Sequence, residues 1–196
     1  MPLQRWHFSF QPMDHYNRQI LRFSLHFALA LLTGWVLSVL IADLPVVVTF
    51  LEKSAFSHYL ESSVIYFLHQ LLSLMGYQHQ MLPHHIVKID GTRGVLIIYS
   101  CLALRHIAQF FGFMLVIKGS WKRKILYIFF GIIVIYFVNI LRIYIATIAQ
   151  YHCPRYEMEI HYYGGRILLY GTILLLWIRW INKYTFPYFG LNFVDK

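Results

Sequence analysis

Long apolar stretches, each bounded by charged residues or turn formers, dominate the chain. A helix crossing a hydrocarbon core needs about 20 predominantly apolar residues. Four stretches approach that length, at 20–42, 100–118, 125–150 and 162–180. The first has Arg18 and Arg22 before it and Asp43 and Pro45 after it. It is too long, and starts too far along the chain, for the h-region of a cleavable signal peptide. A weaker stretch at 61–76 carries Ser62, Ser63, Tyr66, His69, Gln70 and Ser73 as one helical stripe. Val64, Ile65, Leu68, Leu71, Leu72 and Met75 oppose it, the pattern of a helix lying in the interface, with a short extra span as the alternative. Within 86–99, two β-branched runs flank Gly91-Thr92-Arg93-Gly94 and predict a short hairpin. The expectation is an all-α integral membrane protein, a single domain over 1–196. It is a polytopic bundle of about four transmembrane helices, an interfacial helix and an outer-face β-hairpin.

Composition narrows the partners. Hydrophobic residues make up 59% of the 196 and charged residues 13%, against about 25% charged in ordinary soluble domains. A disordered chain and a water-soluble fold are excluded on that balance. So is a nucleic-acid binder, since such domains are charge-rich as well as basic. The partner implied is the lipid bilayer.

The excess of 17 Lys+Arg over 8 Asp+Glu is unevenly placed. Lys118, Lys122, Arg123 and Lys124 crowd the connection between the second and third stretches, which reads as cytoplasmic. Arg18 and Arg22, and Arg179 and Lys183 after the last stretch, point the same way. Four spans put both termini in the cytoplasm and the hairpin outside; a fifth at 61–76 breaks that parity. The expected location is the cytoplasmic (inner) membrane, with any active site facing the extracytoplasmic side.

Against this background the informative residues are the polar ones inside apolar stretches. Arg142 lies deep in the third, about 12 Å below its outer end, at a cost on the order of 2.5–3.5 kcal/mol on insertion scales. Asn139 shares its helical face three residues earlier. Such an arginine either glues helices together or serves a site. Cys101 opens the second stretch with Arg105 at i+4 and His106 beside it. A cation and a helix N-terminus both favour the thiolate, although a lone cysteine is often a small buried hydrophobe. His161 opens the last stretch, as a cap or as a proton carrier. The orientation drawn from Lys and Arg alone places Cys101, Arg142 and His161 together on the outer side.

Other candidates are weaker. His152-Cys153-Pro154 reads as a plain turn, and a Cys101–Cys153 disulfide is open on an oxidising side. The 11 histidines show no converging ligand spacing, so neither metal nor cofactor is expected. Ala108 and Gly112 form a small-xxx-small pair for helix packing.

Three motifs resemble the exosortase/archaeosortase family of membrane-embedded cysteine transpeptidases, in a compact branch. They are Asp90-Gly91 leading to Cys101, Asn139-Ile140-Leu141-Arg142-Ile143, and His161. The resemblance covers roughly 88–171, and the Asn-x-x-Arg-Ile element is its most specific part. Where many relatives have Cys-Ser-Gly or Cys-Thr-Gly, this chain has Cys101-Leu102-Ala103. The resemblance implies a cysteine transpeptidase or protease in which Cys101, Arg142 and His161 are catalytic and Asn139 and Arg105 bind substrate or support the site. The implied substrate is an exported, membrane-tethered protein with a C-terminal sorting tail, cleaved through a thioester at Cys101, whose acyl group passes to an acceptor. The rival from another class is a non-catalytic membrane protein, a structural partner in polysaccharide or protein export.

Overall fold

The structure is a computed structural model that describes residues 15–82 and 85–191. Helix α1 (His15–Ala42) is followed by α2 (Pro45–Glu52) and α3 (Ala55–Leu74). Strands β1 (His79–Leu82), β2 (Ile86–Ile89) and β3 (Val95–Leu96) come next. A 3₁₀ turn at Tyr99–Cys101 then leads into α4 (Leu104–Val116) and α5 (Trp121–His152). The last helix, α6 (Glu157–Tyr188), is continuous but carries two π-helical turns, at Ile160–Gly164 and Ile181–Thr185.

Three helices are long and apolar enough to cross a membrane among the described residues: Tyr16–Ala42, Trp121–His152 and Glu157–Tyr188. Their outward faces carry exposed Leu25, Leu29, Trp35, Phe129, Ile133, Phe137, Leu174 and Leu175. Apolar surface of that extent is explained by lipid rather than water. The chain is a helical membrane protein with a small sheet.

The stretch at 100–118 is where structure and sequence differ most. Its helix is α4, with 13 residues, about 20 Å long and short of the roughly 30 Å hydrocarbon thickness. The cause is local: Ala103 sits at φ +55 in the left-handed region, which stops the helix from extending back through Cys101. The backbone cost for a residue with a Cβ is about 1–2 kcal/mol. At the other end Lys124 from α5, itself buried, donates to the carbonyls of Leu115 (3.3 Å) and Ile117 (2.7 Å). These bonds satisfy C-terminal carbonyls that the helix leaves orphaned.

Small residues hold α4 against α1. A Cβ added to Gly112 lies 2.9 Å from the Gly34 Cα and 3.0 Å from the Thr33 carbonyl oxygen. The small pair expected at Ala108 and Gly112 is therefore buried, with Gly112 facing α1. Phe110, Phe113, Met114, Trp177 and Trp180 fill the core among α1, α4, α5 and α6, with Phe113 stacked on Trp177 at 4.2 Å.

A second core joins α3, the sheet and the other half of α5 through Val64, Leu68, Leu72, Val87, Ile97, Ile140 and Ile143. Helix α3 starts at an N-cap, with Ser57 N–H donating to Ser54 Oγ at 3.2 Å. Its buried face runs Glu61, Val64, Leu68, Leu72, close to the apolar stripe of the sequence. Buried Glu61 receives His58 at 3.5 Å and His85 at 3.2 Å, tying α3 to the start of β2. The expected hairpin is the β2–β3 pair, Ile86 opposite Leu96 and Val87 opposite Val95. A further strand, β1, extends it to a three-stranded antiparallel sheet in the order β1-β2-β3. Both cysteines are free, so no Cys101–Cys153 bond joins the outer connections.

Candidate active site

Where α5 passes from one core to the other it carries Asn139 and Arg142. Asn139 is fully buried, and its Nδ2 donates to the Cys101 carbonyl at 2.7 Å. That bond anchors the turn bearing the thiol directly to the α5 face that also holds Arg142. The Cys101 Sγ points back at the sheet, 3.9 Å from the Leu96 carbonyl oxygen. Two atoms nearby are buried without a hydrogen-bond partner: Asn139 Oδ1 and Arg142 Nε. The second has a visible cause. Gly165 lies so close that an added Cβ would stand 2.5 Å from Arg142 Nε and 3.1 Å from its Cδ. Glycine at that position lets the guanidinium lie against the backbone of α6.

His161 is on the π-helical turn Ile160–Gly164. Such turns insert an extra residue into a helix and are frequent at functional sites. The turn brings His161 to the wall of a cavity of about 360 Å³, together with Cys101, Leu96, Ile98, Gln150 and Glu157. Gln150 clamps the far end of this cavity. Its Oε1 accepts from Gly94 N–H at 3.1 Å and its Nε2 donates to Gly94 C=O at 3.3 Å.

Arg142 opens instead onto a neighbouring cavity of about 560 Å³, which shares Ser100 with the first. Arg105, His106, Arg166, Tyr170 and Glu52 also line it. Both Cys101 and His161 are within electrostatic reach of Arg142. Arg105 is not aimed at the thiol. The left-handed turn at Ala103 interrupts the helix through which i+4 spacing would have joined them, and Arg105 instead pairs with Asp43 at the end of α1. Arg166 stacks over Tyr162 at 3.7 Å. With Arg105 paired to Asp43, Arg142 and Arg166 face the one lining carboxylate, Glu52, so the larger cavity keeps a net positive lining.

Sequence reasoning named Cys101, Arg142, His161, Asn139 and Arg105; the structure places Cys101 and His161 on one cavity and Arg142 and Arg105 on its neighbour, with Asn139 buried behind the Cys101 turn. It missed Arg166, Gln150 and Gly165, and named His106 only as the neighbour of Arg105. Gly164-Gly165 beside His161 was the one available signal, a place where backbone must approach closely. Chemically, the arrangement offers a thiol, an imidazole on the same cavity wall, and a cation fixed by packing beside them.

A multi-pass helical membrane protein that sets a cysteine and a histidine on one cavity, with a half-buried arginine on the neighbouring one, has the parts of a membrane transpeptidase-like protein. The family model described as Transmembrane exosortase (Exosortase_EpsH) matches residues 18–178, and the chain belongs to that family. Neither a curated protein nor a solved structure matches the chain.

Proposed function

We propose that the chain is a cysteine transpeptidase or protease acting on exported, membrane-tethered proteins near their C-terminal sorting tails. Cys101, as thiolate, attacks the scissile carbonyl and forms the thioester while the peptide amine leaves. His161 takes the thiol proton and delivers it to the leaving amine, the task for which an imidazole is suited. Arg142 faces the developing oxyanion, where a preorganised cation in a water-poor site is worth several kcal/mol. Asn139 holds the Cys101 turn in register with Arg142. The acyl group then passes to an acceptor amine, or to water in a simple hydrolysis, which restores the thiol. The active site faces the extracytoplasmic side of the cytoplasmic membrane.

The observation that carries this reading is that Cys101 and His161 line one cavity, with Arg142 on the neighbouring one and within electrostatic reach of both. Cys101→Ala and Cys101→Ser are each expected to abolish processing of a co-expressed tailed substrate, read as the mobility shift of its mature form, at unchanged protein level. Full processing by Cys101→Ala overturns the nucleophile assignment and favours the non-catalytic export partner.

A further inference from the structure

Strand β3 ends the sheet, and its outer edge forms a wall of the Cys101–His161 cavity. In an antiparallel pair, residues alternate between exchanging both backbone bonds with the partner strand and pointing both groups away from it. Ile97 N–H donates to His85 C=O at 3.0 Å. With Ile86 opposite Leu96 and Val87 opposite Val95, Val95 and Ile97 therefore bond toward β2. Gly94 and Leu96 turn their N–H and C=O outward.

The first of these outward positions is filled. The Gln150 side chain meets Gly94 with both a donor and an acceptor, as a peptide group of an added strand would. The second is open. Among the described residues nothing accepts from Leu96 N–H, and its carbonyl has only the distant Cys101 thiol. A strand edge with unpaired backbone groups is a template for pairing, and proteins use such edges to capture extended chain.

We propose that the substrate's cleavage segment binds as an extended strand on the free edge of β3, exchanging backbone hydrogen bonds with Leu96. This rests on the reading of Cys101 as nucleophile and adds how the scissile bond is presented to it. Gln150 marks where the added strand stops, because its amide already occupies the Gly94 position. A residue bonded to Leu96 lies beside the thiol, which itself contacts the Leu96 carbonyl. Recognition through backbone tolerates varied side chains at the inward positions and demands a peptide N–H at one defined place.

The test uses acetyl-Ala-Ala-Ala chloromethyl ketone on the intact chain in membranes. The Cys101 thiolate displaces chloride and forms a thioether, read by mass spectrometry. Three analogues are N-methylated at one nitrogen each. Methylation at the nitrogen that meets Leu96 is expected to slow Cys101 alkylation by about tenfold or more, roughly one lost hydrogen bond. Methylation of the adjacent nitrogen, which faces away, changes little. Leu96→Pro, which deletes the edge N–H, is expected to slow the parent probe by a similar factor, with iodoacetamide serving as the backbone-free control. Equal rates for all four peptidyl probes on the unsubstituted chain overturn the strand-edge mode while leaving Cys101 as nucleophile. A Cys101 that reacts no faster than Cys153 with any of them overturns the nucleophile reading itself.

Discussion

At the scale of single residues, the site depends on one absent side chain as much as on those present. Gly165 leaves the space that Arg142 fills. Gly165→Ala is expected to keep the fold, since alanine favours helix by about 1 kcal/mol over glycine. It is also expected to reduce processing by about tenfold or more by displacing the guanidinium, an effect on the order of 1.4 kcal/mol in oxyanion stabilisation. A thermal melt and a processing time course on the same preparation separate the two effects. Cys101, Arg142 and His161 were legible because each breaks an otherwise apolar pattern. Arg166 and Gln150 were not, because charged and amide residues near a span's end look like ordinary interfacial ones. Ala103 carries a different lesson. Glycine adopts the left-handed backbone easily, and this chain holds that backbone with alanine.

Elements show the same division. Long apolar stretches revealed α1, α5 and α6, helical spacing revealed the buried stripe of α3, and β-branched runs revealed β2 and β3. Strand β1 escaped notice because His79-Gln80-Met81-Leu82 has no β-branched residue and only one intermediate position in an otherwise exposed strand. Its pairing comes from β2 rather than from its own pattern. The length of α4 was hidden for a related reason: hydropathy continues through 100–103, but the backbone turns there. Packing of this short helix rests on Gly112 against Gly34. Gly112→Leu is expected to lower stability by about 1–3 kcal/mol through overpacking, measured as an earlier unfolding midpoint in detergent. Arg123→Gln, on an exposed surface, serves as the neutral comparison.

At the scale of the molecule, the basic residues divide by role. Lys118, Lys122 and Arg123 belong to the charge pattern that orients the chain, whereas Lys124 caps a helix. The orientation itself is open to a direct check. In sealed right-side-out vesicles, a membrane-impermeant maleimide is expected to label exposed Cys153. It is expected to spare a cysteine placed at Lys122, in a Cys101→Ala, Cys153→Ala background, until the vesicles are opened. The reverse pattern turns the protein over and moves the cavities to the cytoplasmic side.

The shortness of α4 bears on what a substrate must do. If the Lys118–Lys124 connection lies at the inner boundary, as the charge pattern predicts, a helix of about 20 Å ends well below the outer edge of a roughly 30 Å hydrocarbon layer. On the proposed function the thiol would then meet a tethered substrate where that substrate is still helical. A scissile peptide buried in helical hydrogen bonds cannot be attacked, so on that reading the tail's first turn would have to unravel beside Cys101. Each freed N–H and C=O there is expensive without a new partner. The free edge of β3 beside the thiol would offer such partners, and on the proposed function cleavage would be coupled to melting the end of the substrate's own anchor.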